Sequence, residues 1–232
     1  MAKPLPTDLL YHSFESPDEF DVFLDQNGAT LPAFYLKIAK KDSGVASITA
    51  EEAVEVALCH GWIDGWGRGM DEQWHMKRYT PRRAKSIWSA KNVATVGRLI
   101  EDGRMRPAGL AAVAAAKADG RWERAYGGAS TSQIPNDLAA ALDSNQAAKK
   151  AFESLKGAER YAILVRLQTA APAARAQRIA AIIGQLEKGA AAKPRGSSEN
   201  DADATEECSN KPSTRKRAAA DSSTRKSSRR RR

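Results

Sequence analysis

Residues 61–92 read GWIDGWGRGMDEQWHMKRYTPRRAKSIWSAKN and contain four of the five tryptophans of this 232-residue chain. Two runs rich in strand-forming residues, 61–68 and 73–80, flank the turn-like sequence GMDE at 69–72. Glycine and aspartate between two such runs are typical of a β-hairpin. The stretch therefore predicts two antiparallel strands, which should end near Pro81.

The segments before the hairpin predict two helices and one strand. The sequence SPDE at 16–19 is a capping box with proline at the first helical position, and its helix should end near Asn27. Residues 33–39 are rich in strand-forming side chains, so we expect a β-strand there. A second capping box, TAEE at 49–52, begins a helix that Gly61 should end.

Helical patterns dominate the chain after the hairpin. Beyond Pro81, apolar residues recur at helical spacing up to Gly103, and either Ser86 or Ser89 can cap the start of this helix. An alanine-rich helix is predicted at 108–118.

The whole pattern predicts an α+β fold, with a small antiparallel β-sheet and packed helices followed by a C-terminal module of about four short helices. The expected segments are a flexible N-terminus (1–13), an α+β domain (14–126), a linker (127–134), a helical module (135–188) and a disordered basic tail (189–232).

The expected tail lacks apolar periodicity and carries most of the excess charge. Twelve Lys and Arg against six Asp and Glu give it +6 of the chain's net +9. With so few large apolar residues it cannot offset the entropy of ordering, so we expect disorder. Its basic clusters form a candidate nuclear-import signal. The residues of this signal are Lys211, Arg215, Lys216, Arg217, Arg229, Arg230, Arg231 and Arg232.

Other features of the composition indicate an intracellular protein, nuclear or cytoplasmic. No run of about 18 apolar residues predicts a membrane span, and the first residues lack the apolar centre of a signal peptide. Cys59 lies in an apolar helical pattern and Cys208 in the polar tail, so a disulfide between them is not expected.

The cysteine and histidine residues near the hairpin do not form a recognised catalytic or metal-binding pattern. Cys59 and His60 are adjacent, so their side chains diverge by about 100° on a helix. Cys59 could still meet His75, and His60 could meet Asp64. We expect Cys59 to be a buried, inert thiol. The spacing matches no zinc pattern, so neither a metal nor a cofactor is expected.

Several motifs resemble the YdeI/OmpD-associated proteins, also described as the bacteriocin-protection family. They are ALCHGWIDG at 57–65, YTPRR at 79–83, SIWS at 86–89 with Asn92, RLIEDGRM at 98–105 and AKADGRW at 116–122. The resemblance runs from about Phe14 to Leu186. It implies a soluble protein linked, in bacterial members, to tolerance of antimicrobial peptides and to association with a porin. It implies no catalytic residues, and the basic tail is an addition to the bacterial pattern.

A candidate ligand site follows from the residues around the end of the hairpin. A helix N-terminus favours anions, and Arg82 with its basic neighbours is expected near one. A tryptophan nearby could stack a flat group, and Asn92 could orient a polar ligand atom. In the alternative reading the tryptophans form core and Arg82 pairs with Asp64. The candidate ligand-binding residues are Asp64, Trp74, Arg82, Arg83, Lys85, Trp88 and Asn92.

The leading functional hypothesis is a non-catalytic binding or stress-protection protein that engages an unknown protein or an anionic small molecule. One alternative is an enzyme that uses the same cleft, with Asp64 as its acid or base. Another is a nuclear protein whose tail contacts nucleic acid without sequence preference, or an import receptor.

Overall fold

The computed structural model describes residues 4–189 of the chain. Its elements, in chain order, are β1 (Tyr11–His12), α1 (Pro17–Asn27), β2 (Phe34–Ala39), α2 (Ala50–Cys59), β3 (Trp62–Gly69), β4 (Trp74–Pro81), α3 (Ala90–Glu101), α4 (Pro107–Ala118), α5 (Asn136–Asp143), α6 (Gln146–Ser154), α7 (Gly157–Gln168) and α8 (Pro172–Glu187). The predicted α+β class is confirmed. The candidate nuclear-import residues lie outside the described residues.

The four strands form one sheet in the order β1-β2-β4-β3. The predicted hairpin is β3 and β4, and β4 pairs antiparallel with both β3 and β2. The sheet was expected to be antiparallel throughout, but it is mixed because the edge strand β1 pairs parallel with β2. A strand of two residues carries no detectable periodicity, so the sequence could not predict β1.

The hairpin contains an irregularity in β3. Asp64 is opposite Tyr79 and Gly67 is opposite Lys77, so β3 uses one more residue than β4 over this interval. This is the residue count of a β-bulge, which shifts the side chains beyond it to the opposite face. Trp62, before the bulge, therefore packs in the core, whereas Trp66 contacts Tyr35 on the other face.

Helices α1 and α2 cover one face of the sheet. Both begin as predicted, because the Ser16 and Thr49 side chains each accept a hydrogen bond from the third helical residue. Their apolar sides meet the inward residues of β2 and β4 in a core that includes Phe20, Phe34 and Tyr79, each fully buried. Burial of such large side chains is the dominant stabilising contribution.

A second core joins α2, α3 and α4. It contains Cys59, Trp88 and Leu99, all at most 2% exposed. Helix α4 approaches the end of α2 very closely, since a Cβ built on Gly109 would lie 2.2 Å from the Cys59 carbonyl oxygen. Gly109 is therefore required by backbone contact rather than by its conformation.

The remaining helices, α5 to α8, have a core of their own. The interior residues include Leu138, Phe152 and Leu167. Hydrogen bonds connect this region to the preceding loop. Tyr161 Oη donates to the Gly127 carbonyl and Gln168 Nε2 to the Ala125 carbonyl, each at 2.9 Å, and the Gly127 amide donates to Gln168 Oε1 at 3.4 Å.

Candidate functional site

The segment between the hairpin and α3, residues 82–89, is here called the basic loop. It begins where the Arg82 amide donates to the Gly61 carbonyl at 2.8 Å. Within it, Arg83 and Ser86 exchange hydrogen bonds: the Arg83 amide donates to Ser86 Oγ and the Ser86 amide to the Arg83 carbonyl, each at 3.0 Å. The loop is thus held by its own hydrogen bonds.

Helix α3 starts later than the candidate site requires. Its N-cap is Ser89, whose hydroxyl accepts a hydrogen bond from the Asn92 amide at 3.1 Å. Arg83 and Lys85 therefore precede the first helical turn by several residues and do not lie at the helix N-terminus. These two side chains therefore do not benefit from the positive end of the helix dipole, which attracts anions.

Arg82 and Trp88 form the inner contact of the basic loop. The guanidinium carbon of Arg82 lies 3.5 Å from the centre of the Trp88 ring, and its Nη1 donates to the Ile87 carbonyl at 3.1 Å. Trp122 meets Trp88 edge to face at 5.0 Å. Trp88 is only 1% exposed, so its ring packs against protein groups and anchors the loop.

Asp64 and Trp74 lie elsewhere on the hairpin. The Asp64 carboxylate accepts a hydrogen bond from Lys77 Nζ at 2.7 Å. Trp74 begins β4, whereas Arg82 follows its end. The span from Trp74 to Pro81 is about 23 Å at the rise of an extended strand. The structure therefore does not bring all the candidate residues together.

Positive charge is concentrated around the basic loop. Residues 73–100 contain seven Lys and Arg but no Asp or Glu. Lys77 and Arg98 pair with carboxylates from other segments. Arg82 packs on Trp88. The other four basic side chains form no ion pair within residues 4–189. These are Arg78, Arg83, Lys85 and Lys91.

A polar cluster at the end of α2 was not foreseen from the sequence. His60 is 8% exposed, and its Nε2 lies 2.8 Å from Asp21 Oδ1, while Arg106 binds the second oxygen of Asp21. Burial raises the pKa of Asp21, but the bonds from Arg106 and His60 outweigh it and hold the pKa below its usual value. His60 therefore pairs with Asp21 rather than with Asp64.

Cys59 has the buried environment that the sequence predicted. Its side chain lies in the second core, and burial raises the pKa of its thiol. A high pKa lowers the fraction of reactive thiolate. In the described part of the chain, His, Cys, Asp and Glu side chains form no group that could hold a metal ion.

Two cavities lie away from the basic loop. One, of about 310 Å³, lies between the 127–135 loop and the helical module and is lined in part by Thr131, Gln168 and Arg175. The other, of about 480 Å³, is a shallow groove along α1. Among residues 4–189, no helix is both long and apolar enough to cross a membrane.

Comparison with known families divides the chain in two. Residues 12–112 match a domain of unknown function (DUF8412), and residues 131–189 match the family described as bacteriocin-protection, YdeI or OmpD-associated. Neither the curated proteins nor the solved structures contain a significant match. Most of the motifs quoted for the resemblance lie in the first of these segments. The resemblance to the YdeI/OmpD-associated family is confirmed, and it is carried by residues 131–189.

Proposed function

We propose that this protein is a non-catalytic binding protein of the stress-protection type, and that its basic loop engages an anionic ligand or an anionic surface of a partner. The stress-protection role is suggested by the description of the family that matches residues 131–189. The single observation that carries the binding role is a loop held by its own hydrogen bonds, whose exposed cations form no ion pair with any residue among 4–189.

The charge of the loop supports an anionic ligand. Arg83 and Lys85 are exposed, and neither forms an ion pair with another described residue. Lys91, the second residue of α3, is also exposed. Like charges placed together repel one another, and a bound anion would relieve that repulsion. Phosphate groups suit such a cluster because they accept several charge-assisted hydrogen bonds.

The anchoring of the loop supports binding over a merely solvated surface. Arg82 packs on the buried Trp88, and the Arg83–Ser86 hydrogen bonds fix the backbone between them. A fixed loop loses little conformational entropy when a ligand binds, so more of the electrostatic attraction appears as affinity. In this reading Arg82, Trp88 and Asn92 position the loop, while Arg83 and Lys85 contact the ligand.

A thermal-shift experiment tests this proposal with inorganic phosphate, pyrophosphate and tripolyphosphate as probes. A ligand at 100 times its Kd stabilises the folded state by about 2.7 kcal/mol, which raises Tm by about 5–10 °C for a chain of this size. The double variant R83E/K85E should abolish the shift that the wild type shows.

The matched control is K150E/K188E, which changes the net charge by the same amount at two exposed lysines of the helical module. This control should keep the wild-type shift. Equal shifts in R83E/K85E and in wild type would contradict the proposal, as would the absence of a shift with every probe.

A further inference from the structure

The second face of the sheet is not covered by α1 and α2. The core under these helices takes Phe34, Leu36 and Ile38 of β2, so the alternating residues of the strand point the other way. Tyr35 is paired with Arg78, and Lys37 with Met76. Partners in register share a face, so Met76, which is fully buried, also lies on it. The aromatic and basic residues of this face are here called the sheet platform: Tyr11, Tyr35, Lys37, Trp66, Arg68, Trp74 and Arg78.

Aromatic rings lie across the platform from edge to edge. Tyr11 stacks on Tyr35 with ring centres 5.0 Å apart, and Tyr35 meets Trp66 at 6.0 Å. Trp66 is 42% exposed, although tryptophan is one of the most costly residues to leave in water. Trp74 is partly exposed at the far end of β4, where Lys37 Nζ lies 4.4 Å above its ring.

The charges on the platform are positive. Lys37, Arg68 and Arg78 belong to no ion pair among residues 4–189. Two acidic side chains border this face: Asp8 accepts a hydrogen bond from the Tyr35 hydroxyl at 3.1 Å, and the Asp71 carboxylate accepts one from the Trp74 amide at 2.8 Å. Basic side chains and aromatic rings therefore lie together on β2, β3 and β4.

The N-terminal segment runs over this face between the two edges of the sheet, and Tyr35 and Met76 on the same face are buried, at 2% and 0% exposed. The Pro4 carbonyl accepts a hydrogen bond from Arg68 Nη2 at 2.5 Å, and the Pro6 carbonyl accepts one from the Tyr11 hydroxyl at 2.7 Å. These contacts order Arg68 and Tyr11 at opposite sides of the sheet. Trp66 and Trp74 retain exposed area between and beyond them.

We infer that the sheet platform is a binding surface for single-stranded nucleic acid. Unpaired bases stack on exposed aromatic rings, and a positively charged surface follows the phosphates of the strand. A duplex fits less well because its bases are hidden from the rings. A protein partner also fits less well, since lysine is depleted at the centres of protein interfaces and Lys37 lies on a tryptophan here.

The inference is tested by fluorescence anisotropy with the full chain and a labelled oligothymidylate of about 12 nucleotides, a length within the usual site range. The full chain is used because basic residues outside the platform also contribute to its total affinity for the oligonucleotide. W66A and W74A should each weaken binding by about fivefold or more, the low end of the effect of losing one stacked base. The slope of log affinity against log salt should stay as in wild type, because no charge has changed.

Two controls separate stacking from general attraction to phosphate. L110A removes an exposed apolar side chain from α4 and should bind like wild type. R78Q removes one platform charge and should reduce the salt slope by about 0.7. A duplex of the same length should bind with an affinity that W66A and W74A do not change.

A second readout does not depend on relative affinity. Oligothymidylate should quench the tryptophan fluorescence of the wild type, and W66A/W74A should lose most of this quenching. The inference is overturned if the full chain does not bind the single strand, or if W66A and W74A bind it as tightly as wild type. R83E/K85E leaves the platform intact, so phosphate binding at the basic loop and nucleic-acid binding at the platform are tested independently.

Discussion

Substitution of Gly109 by alanine should destabilise the protein, although alanine is the better helix former. In an exposed helix this exchange gains about 1 kcal/mol. At position 109 the new Cβ would lie 2.2 Å from the Cys59 carbonyl oxygen and 2.8 Å from the Leu58 carbonyl oxygen. Both are backbone atoms at the end of α2, so relief requires a shift of about 1 Å between two packed helices.

Such overpacking costs about 1–3 kcal/mol or more. The shift would also strain the hydrogen bond from the Arg106 amide to the same Cys59 carbonyl, which measures 3.0 Å. The steric cost therefore exceeds the gain in helix propensity, and we expect a net loss of about 1–2 kcal/mol. For a chain of this length that loss lowers Tm by about 2–8 °C.

The assay is thermal unfolding of wild type, G109A, G97A and G184A, followed by circular dichroism. Gly97 in α3 and Gly184 in α8 are helical glycines with no atom within 4 Å of an added Cβ, so they are matched controls. Each control should gain up to about 1 kcal/mol. If G109A were as stable as G97A, the close approach of α4 to α2 would be refuted.

Two further predictions concern the polar cluster and the tail. D21N should cost about 1–2 kcal/mol at pH 7, because it weakens the bonds to His60 and Arg106. The pKa of Asp21 is lowered in the folded state, so this contribution is present above pH about 4 and lost below it; urea unfolding at pH 7 and pH 3 should show the difference from wild type shrinking on acidification. A fluorescent reporter fused to residues 189–232 should accumulate in nuclei, and an even distribution would contradict the import role.

Local sequence signals predicted most of the elements. The capping boxes at Ser16 and Thr49 place the starts of α1 and α2, because the side chain and the amide that bond are only three residues apart. The turn at 69–72 places the hairpin for the same reason. Two serines could cap α3, and the local sequence did not distinguish them; the structure has Ser89 as the N-cap, next to Trp88 in the second core.

The contacts that define the candidate sites could not be predicted in this way. Asp21 is separated from His60 by 39 residues and from Arg106 by 85, so no local pattern joins them. The segment around Arg82 and Trp88 was found from composition, but the sequence could not show that the arginine itself packs on the ring. Alternation along β3 would also place Trp66 on the same side as Trp62, and the bulge reverses that assignment.

The bulge in β3 also determines where the hairpin can change in length. Gly65 and Trp66 together stand opposite Arg78, so removal of Gly65 would leave Trp66 facing Arg78 and Gly67 facing Lys77 as before. Loss or gain of one residue at any other point of β3 would exchange the inward and outward side chains beyond it. Other chains with this hairpin should therefore gain or lose a residue at Gly65, and should keep the same number of β3 residues on either side of it.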